Sequence, residues 1–294
     1  MQCKLCGNTD IEIAYKGQIR DGGLNCYTNN EIEMYKCRRC GVIWHEPIHN
    51  SETYYESEEY RKSVDLSAET QNYYRLHDKE CLDKFQYTGT DIFRDKVVAD
   101  IGCGGGSFLD FLSGVAKTVI AIEPSEIFRK ALREKNYTTY AYAKDAEREY
   151  AEKVDVVTSF DVIEHVTDPL EFLQDIHTLL CDNGKAIVGT PTDAPVMREL
   201  LGEVYEKKVL FTAQHIWIFS EKSLKDLAIK AGFRDIKVRF VQRYGIENML
   251  GWLITQAPNS RQTFSFVGKT LDATWKGQME DQKYADYILL YVMK

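Results

Sequence analysis

Two groups of residues have the types and spacing to do chemistry. The first is Asp100-Ile101-Gly102-Cys103-Gly104-Gly105-Gly106, which follows an apolar run at 96–100 and precedes the helix-like stretch 107–112. Glycines at 102, 104 and 106 let the chain turn sharply and let backbone approach a ligand. The helix N-terminus behind them offers N–H groups and a positive dipole end to a carboxylate or phosphate. Asp100 is placed to accept a hydrogen bond from a ligand ammonium, directly or through water. Glu123 ends the next strand, roughly 20 residues on, where an acid binds ribose hydroxyls. The second group is Cys3-Lys4-Leu5-Cys6-Gly7 and Cys37-Arg38-Arg39-Cys40-Gly41, two C-x-x-C-G knuckles. Two residues between thiolates let each pair reach one tetrahedral Zn²⁺, and the trailing glycine allows a turn that aims N–H groups at the sulfurs. Four thiolates close the coordination shell, so Cys3, Cys6, Cys37 and Cys40 predict a structural zinc. No thioredoxin-like βαβ pattern surrounds either pair, which argues against a redox role. His45 and His49 follow the second knuckle and are expected on the surface or near a linker. The other cysteines, 26, 81, 103 and 181, are dispersed and read as core or loop residues.

The elements that must position these residues follow from periodicity. Residues 1–48 form a short, cysteine-punctuated module resembling a zinc ribbon. Residues 49–95 are rich in Tyr and Glu and read as a helical linker or lid. Residues 96–294 alternate strand and helix patterns, the signature of an α/β sheet. Strands are expected at 96–100, 118–123, 137–142, 154–160, 185–189, 233–244 and 287–293. Ser125 caps a helix through Lys135. Asp168-Pro169 opens another, which Asn183-Gly184 ends, and Ser220 caps one that Gly232 stops. Short parallel strands need helices on both faces, and ligands bind beyond their carboxyl ends at the switch point. The glycine motif falls there.

Residues from about 75 to 294 resemble a class I S-adenosylmethionine-dependent methyltransferase, of the broad group that includes the ubiquinone-biosynthesis O-methyltransferases. The family glycine motif matches Asp100, Gly102, Gly104 and Gly106, and its acid after the second strand matches Glu123, followed by Pro124. Lys144-Asp145-Ala146-Glu147 is similar to the family segment that flanks the adenine. Phe160-Asp161-Val162-Ile163-Glu164-His165-Val166 is similar to the segment after the fourth strand. Residues 214–220 and 231–233 resemble the stretches around the helix before the sixth strand. The resemblance implies a doubly wound, seven-stranded Rossmann-like sheet with a small N-terminal zinc-binding module. It also implies S-adenosylmethionine as cofactor, held by Asp100, Gly102, Gly104, Gly106, Glu123, Pro124, Asp145, Ala146, Phe160 and Asp161. Tyr74, on a helix before the core, is expected to lid it. His165 and His215 are the expected bases, since histidine titrates near neutrality. Arg243 reads either as an anion ligand or as a surface ion pair.

An N-terminal zinc module also resembles methyltransferases of surface-saccharide and deoxysugar pathways. The expected acceptor is therefore a small polar molecule, anionic or a nucleotide-linked sugar, methylated on oxygen. Between the sixth and seventh strands, 245–285 is far too long for a hairpin. It is expected to cover the acceptor, to make a homodimer contact or to pack without a part in the chemistry. The 294-residue chain carries a formal net charge of -8, which argues against a nucleic-acid partner. It has no apolar run of membrane-spanning length, and it starts at once with Cys3 and Cys6 rather than a signal peptide, so a cytoplasmic protein is expected. Two rival readings remain. A nicotinamide-dependent oxidoreductase would suit Glu123, but Ser107 stands where the third dinucleotide-loop glycine belongs. A zinc-ribbon binding protein with a vestigial cofactor domain is at odds with the intact glycine motif.

Overall fold

The computed structural model describes residues 1–49, 51–65, 69–258 and 262–294. Residue 50 and residues 66–68 of the expected helical linker, and 259–261 of the 245–285 segment, lie outside the described residues. The strands and helices run β1 Ile11–Gly17, β2 Ile32–Cys37, β3 Ile43–Trp44, α1 Ser51–Glu56, α2 Glu59–Asp65, α3 Thr70–Thr88 and β4 Val97–Ile101. Then follow α4 Ser107–Leu112, β5 Thr118–Ile122, α5 Glu126–Glu134, β6 Thr138–Tyr140, α6 Ala143–Tyr150, β7 Val154–Phe160, α7 Pro169–Leu179 and β8 Leu180–Pro191. The chain continues as α8 Pro195–Leu201, α9 Glu203–Tyr205, a π-helical turn Glu206–Leu210, β9 Trp217–Ile218 and α10 Glu221–Lys230. It closes with β10 Arg234–Val241, α11 Ile246–Thr255, α12 Lys269–Asp281 and β11 Tyr287–Met293.

A seven-stranded sheet has the order β10-β11-β8-β7-β4-β5-β6. The pairs β4·β5, β5·β6, β4·β7 and β7·β8 are parallel. The chain leaves β4 toward β5 and β6, then returns to its other side for β7 and β8. That reversal puts the switch point at β4. This is the doubly wound fold expected from the sequence. The central parallel strands carry buried apolar residues on both faces, as strands covered by helices do; Val98, Ala99, Ile120, Ala121 and Val157 are fully buried. A second sheet, β1-β2-β3-β9, has four strands, with Trp44 opposite Trp217.

The chain divides into two compact units. One comprises Met1–Ile48, Thr190–Asp226 and Val238–Leu289; the other comprises His49–Gly189, Leu227–Lys237 and Leu290–Lys294. The first has a core of Ile19, Met34, Ile43, Phe211 and Ile218. The second is built on Phe108, Leu109 and Leu112 of α4, Phe128 and Leu132 of α5, and Leu173 and Ile176 of α7.

Several expectations on the elements need correction. The helix from Asp168 ends at Leu179, not at Asn183-Gly184. Leu180 already pairs with Val154, and the Asn-Gly turn, with Asn183 at φ 62°, interrupts the strand rather than ending the helix. The sixth strand stops at Val241, not Tyr244, because the next three N–H groups donate to side-chain carboxylates. Gln242 donates to Glu280 (3.1 Å), and Arg243 and Tyr244 donate to Asp286 (3.1 and 3.3 Å). The stretch expected as strand to Tyr142 gives way to α6, whose start is held by Tyr142 N–H donating to Asp145 (3.0 Å). His45 is not on the surface. It is fully buried, with Nδ1 on the Glu46 carbonyl (2.8 Å) and Nε2 near the Thr212 and His215 carbonyls (3.2 and 3.1 Å).

Candidate functional site

The glycine loop leaves β4 as the pattern requires. Gly102, Gly104 and Gly106 all have positive φ, at 76°, 55° and 88°. A side chain at Gly102 would also collide with Val162, whose Cγ2 lies 2.2 Å from the position of a Cβ. Conformation and space both demand glycine there. Gly104 N–H donates to Glu123 Oε2 (2.8 Å), and Ser125 N–H donates to Oε1 (2.9 Å). Glu123 therefore pins the loop to the end of β5. Burial raises its pKa. Asp100 is buried beneath the loop and accepts from Thr158 Oγ1 (2.7 Å); burial pushes its carboxyl up to about 6.

β7 ends at Phe160, and Asp161 takes a left-handed conformation, φ 58°. Asp tolerates that conformation better than most residues. The turn that follows brings His165 N–H onto the Val162 carbonyl (2.8 Å) and points the histidine ring at Tyr55, with Nδ1 2.9 Å from the Tyr55 hydroxyl. Tyr55 and Tyr60 meet the His165 ring edge-on, at centroid distances of 5.5 and 6.0 Å. Burial pushes the Tyr55 pKa upward, so this phenol stays protonated.

These elements enclose a cavity of about 280 Å³ at the carboxyl ends of β4, β5 and β7. Of the residues expected at the site, Gly102, Glu123, Pro124, Asp161 and His165 line it. Asp100, Gly104, Gly106, Asp145, Ala146, Phe160 and Tyr74 are not among its lining residues, and His215 belongs to the other unit. Asp100, Gly104 and Asp145 shape the walls through the contacts given above. Ala146 and Phe160 are buried. Tyr74 reaches the loop from α3, its hydroxyl donating to the Gly105 carbonyl (2.9 Å).

The lining residues that sequence reasoning missed include Tyr55, Tyr60 and Arg61. Tyr73, beside Tyr74 on the helix expected to lid the cofactor, fills with its ring the space a side chain at Gly104 or Gly105 would take. The Arg61 guanidinium lies over Tyr60, Tyr73 and Phe128, at 5.0, 5.2 and 5.4 Å from the ring centroids. It puts positive charge beside the acidic end of β5. The repeated tyrosines at 54–55, 60 and 73–74 were the available signal.

The cysteine knuckles form a separate centre. Gly7 N–H donates to the Cys3 carbonyl (2.9 Å) and Gly41 N–H to the Cys37 carbonyl (2.8 Å), with both glycines at positive φ. The four sulfurs lie within 4.8 Å of one another, with Cys3···Cys40 at 3.7 Å and Cys6···Cys37 at 3.5 Å. Tetrahedral zinc with Zn–S near 2.3 Å spaces its sulfurs about 3.8 Å apart. The donor set fits that ion. Burial opposes ionisation of Cys37, but the N–H groups of Cys40 and Arg39 outweigh it and lower the pKa to about 6. Ser220, at the start of α10, donates its hydroxyl to the Cys40 carbonyl (2.6 Å) and so ties the second knuckle to that helix.

Residues 73–238 match the family model described as a methyltransferase domain. The ubiquinone biosynthesis O-methyltransferase of Actinobacillus pleuropneumoniae serotype 5b is 31% identical over 147 residues, covering 46% of this chain and 62% of that protein. The chain thus spans less than two thirds of that relative's length. The fold is similar to that of a SAM-dependent methyltransferase from Archaeoglobus fulgidus, at TM-score 0.51 and 17% identity, over 76% of this chain and 97% of that one. It is also similar to a possible histamine N-methyltransferase from Thermotoga maritima, at TM-score 0.50 and 21% identity, over 76% and 93%. The family match alone covers more than half of the chain, so the protein belongs to the methyltransferase domain family and has the class I S-adenosylmethionine-dependent methyltransferase fold.

Proposed function

We propose that the protein moves the methyl group of S-adenosylmethionine to an oxygen of a small polar acceptor. The saccharide and surface-polymer precursors suggested by the sequence resemblance are the acceptor class to test first, as anionic or nucleotide-linked sugars. The observation that carries the donor assignment is the cavity at the switch point, walled by Gly102, Glu123 and Asp161. An acid at the end of β5 suits ribose hydroxyls, and the glycine turn lets backbone meet the ligand. The O-methyltransferase relative supports oxygen as the receiving atom.

S-adenosylmethionine, when bound, supplies an electrophilic sulfonium methyl. The protein's own part is to bind, align and remove a proton. Glu123 fixes the glycine loop through Oε2 and the start of α5 through Oε1. Tyr55 orients His165: with Nδ1–H donating to the phenol oxygen, Nε2 carries the lone pair that takes the acceptor's proton. His215 is the second proposed base. The four thiolates hold a structural Zn²⁺, since no coordination position is left for a substrate.

The test is incubation with methyl-labelled S-adenosylmethionine and a panel of hydroxylated sugars, sugar nucleotides and amines, read by mass spectrometry. Label should appear on oxygen. His165→Ala should lower turnover about 100-fold or more without weakening donor binding. Label on nitrogen alone, or full turnover in the variant, would refute the oxygen assignment or the base, respectively.

A further inference from the structure

The cavity at the ends of β4, β5 and β7 is acidic. Glu123, Asp161, Asp168, Glu171 and Asp175 line it, and Arg61 is the one lysine or arginine among the described residues that do. S-adenosylmethionine brings two positive groups, the sulfonium and the α-ammonium, and one negative group, the α-carboxylate. The acids suit the positive groups. A carboxylate moved from water into such surroundings needs a cation or several N–H donors of its own.

The glycine turn spends most of its N–H groups on the protein itself. Those of Gly102 and Cys103 both donate to the Ile122 carbonyl (2.8 and 3.3 Å), that of Gly104 donates to Glu123 Oε2 (2.8 Å), and that of Gly106 donates to the Cys103 carbonyl (3.0 Å). Ser107 and Phe108, which open α4, are buried and do not line the cavity. The anion-binding role that the sequence suggests for this turn therefore needs another residue. Arg61 is held beside the turn. Its guanidinium lies over Tyr60 of its own helix, Tyr73 of α3 and Phe128 of α5. Tyr73 fills the space at Gly104 and Gly105, and Phe128 lies on α5, whose N-cap Ser125 donates its N–H to Glu123. The three rings thus set the cation at the junction of the glycine turn and the start of α5. Among the charges around Glu123, Arg61 does most to lower its pKa, against the burial that raises it.

We infer that Arg61 binds the α-carboxylate of S-adenosylmethionine. The planar guanidinium fork matches a carboxylate, and ring contacts hold its plane in place before the ligand arrives. Arg61 lies on α2, ahead of the 73–238 stretch that matches the family model, so the family match does not assign it. The inference rests on the S-adenosylmethionine reading of the cavity and adds the residue that recognises the amino-acid end of the donor. It also gives α2 a part in donor binding.

The test is isothermal titration of the full chain with two ligands, S-adenosylmethionine and decarboxylated S-adenosylmethionine, which differ only in the carboxylate. Arg61→Met keeps an apolar stem against the rings and removes the fork. It should weaken S-adenosylmethionine about 10- to 100-fold, the worth of hydrogen bonds to a charged group. The decarboxylated compound, which is only cationic, should bind the variant as tightly as the parent or more tightly, because a like charge has gone. A purely structural role for Arg61 would weaken both ligands alike. A thermal melt reports whether Arg61→Met is folded; if it is not, Arg61→Lys decides, since it keeps the charge without the fork and should weaken S-adenosylmethionine alone, by about tenfold or less. The inference is overturned if the folded variant loses both ligands equally, or if it binds S-adenosylmethionine as the parent does. A parent that binds neither ligand at millimolar levels overturns the donor reading itself, and the inference with it.

Discussion

Gly102 shows how one residue couples loop geometry to the donor site. Its φ of 76° is strained for any side chain, and a Cβ there would clash with Val162 Cγ2. Gly102→Ala should therefore cost about 2–4 kcal/mol of stability and abolish donor binding; denaturant titration and calorimetry measure the two effects. Asp100 makes a different prediction. Burial holds its proton to about pH 6 in the fold, whereas the unfolded chain releases it near pH 4. Between those values the folded state carries the extra proton, so stability falls as pH rises through that window. The two-unit difference corresponds to about 3 kcal/mol. Asp100→Asn keeps an acceptor for Thr158 and should remove that share of the slope in urea melts of the unliganded protein between pH 4 and 6.

At the scale of elements, Ser220 joins the second knuckle to the start of α10. Ser223 N–H donates to Ser220 Oγ (3.0 Å), which caps α10, while the same hydroxyl donates to the Cys40 carbonyl. Ser220→Ala should cost about 1–2 kcal/mol, the upper part of the range for a lost cap, because two hydrogen bonds go at once. Elemental analysis should find one zinc per chain. Chelation should lower the melting temperature, and Cys6→Ser should abolish the metal and the chelator's effect together. The elements differ in how far they could be read. β4, β5 and β7 were legible because each is an apolar run stopped by glycine or acid. α7 was legible because Asp168 and Pro169 announce its start, and Asp168 does accept from Leu170 and Glu171 N–H (2.9 and 3.0 Å). α6 was not, since Ala143–Tyr150 is too short and polar to show a buried stripe. Nor was the helix pair α11–α12, where the length of the segment was noticed but not its periodicity.

For the molecule as a whole, local signals carried the order of the strands and the place of the cleft, because the connection rules of parallel sheets leave few alternatives. Gly102, Glu123 and Asp161 sit at strand ends, so strand order alone brings them together. Tyr55, Tyr60 and Arg61 precede the sheet by tens of residues along the chain, and only the path of α1 and α2 brings them to the cavity. His45 was misread for the same reason: its partners, the carbonyls of Thr212 and His215, are remote in sequence. No helix among the described residues is long and apolar enough to cross a membrane.

The central claim is that the cavity at the ends of β4, β5 and β7 holds S-adenosylmethionine, and isothermal titration of the zinc-loaded full chain tests it most directly. The account predicts one site per chain with a Kd from about 1 µM to about 1 mM, the range in which enzymes commonly hold their substrates, and loss of the signal in Gly102→Ala. Absence of binding at millimolar donor, or tight binding of a nicotinamide dinucleotide in its place, would contradict it.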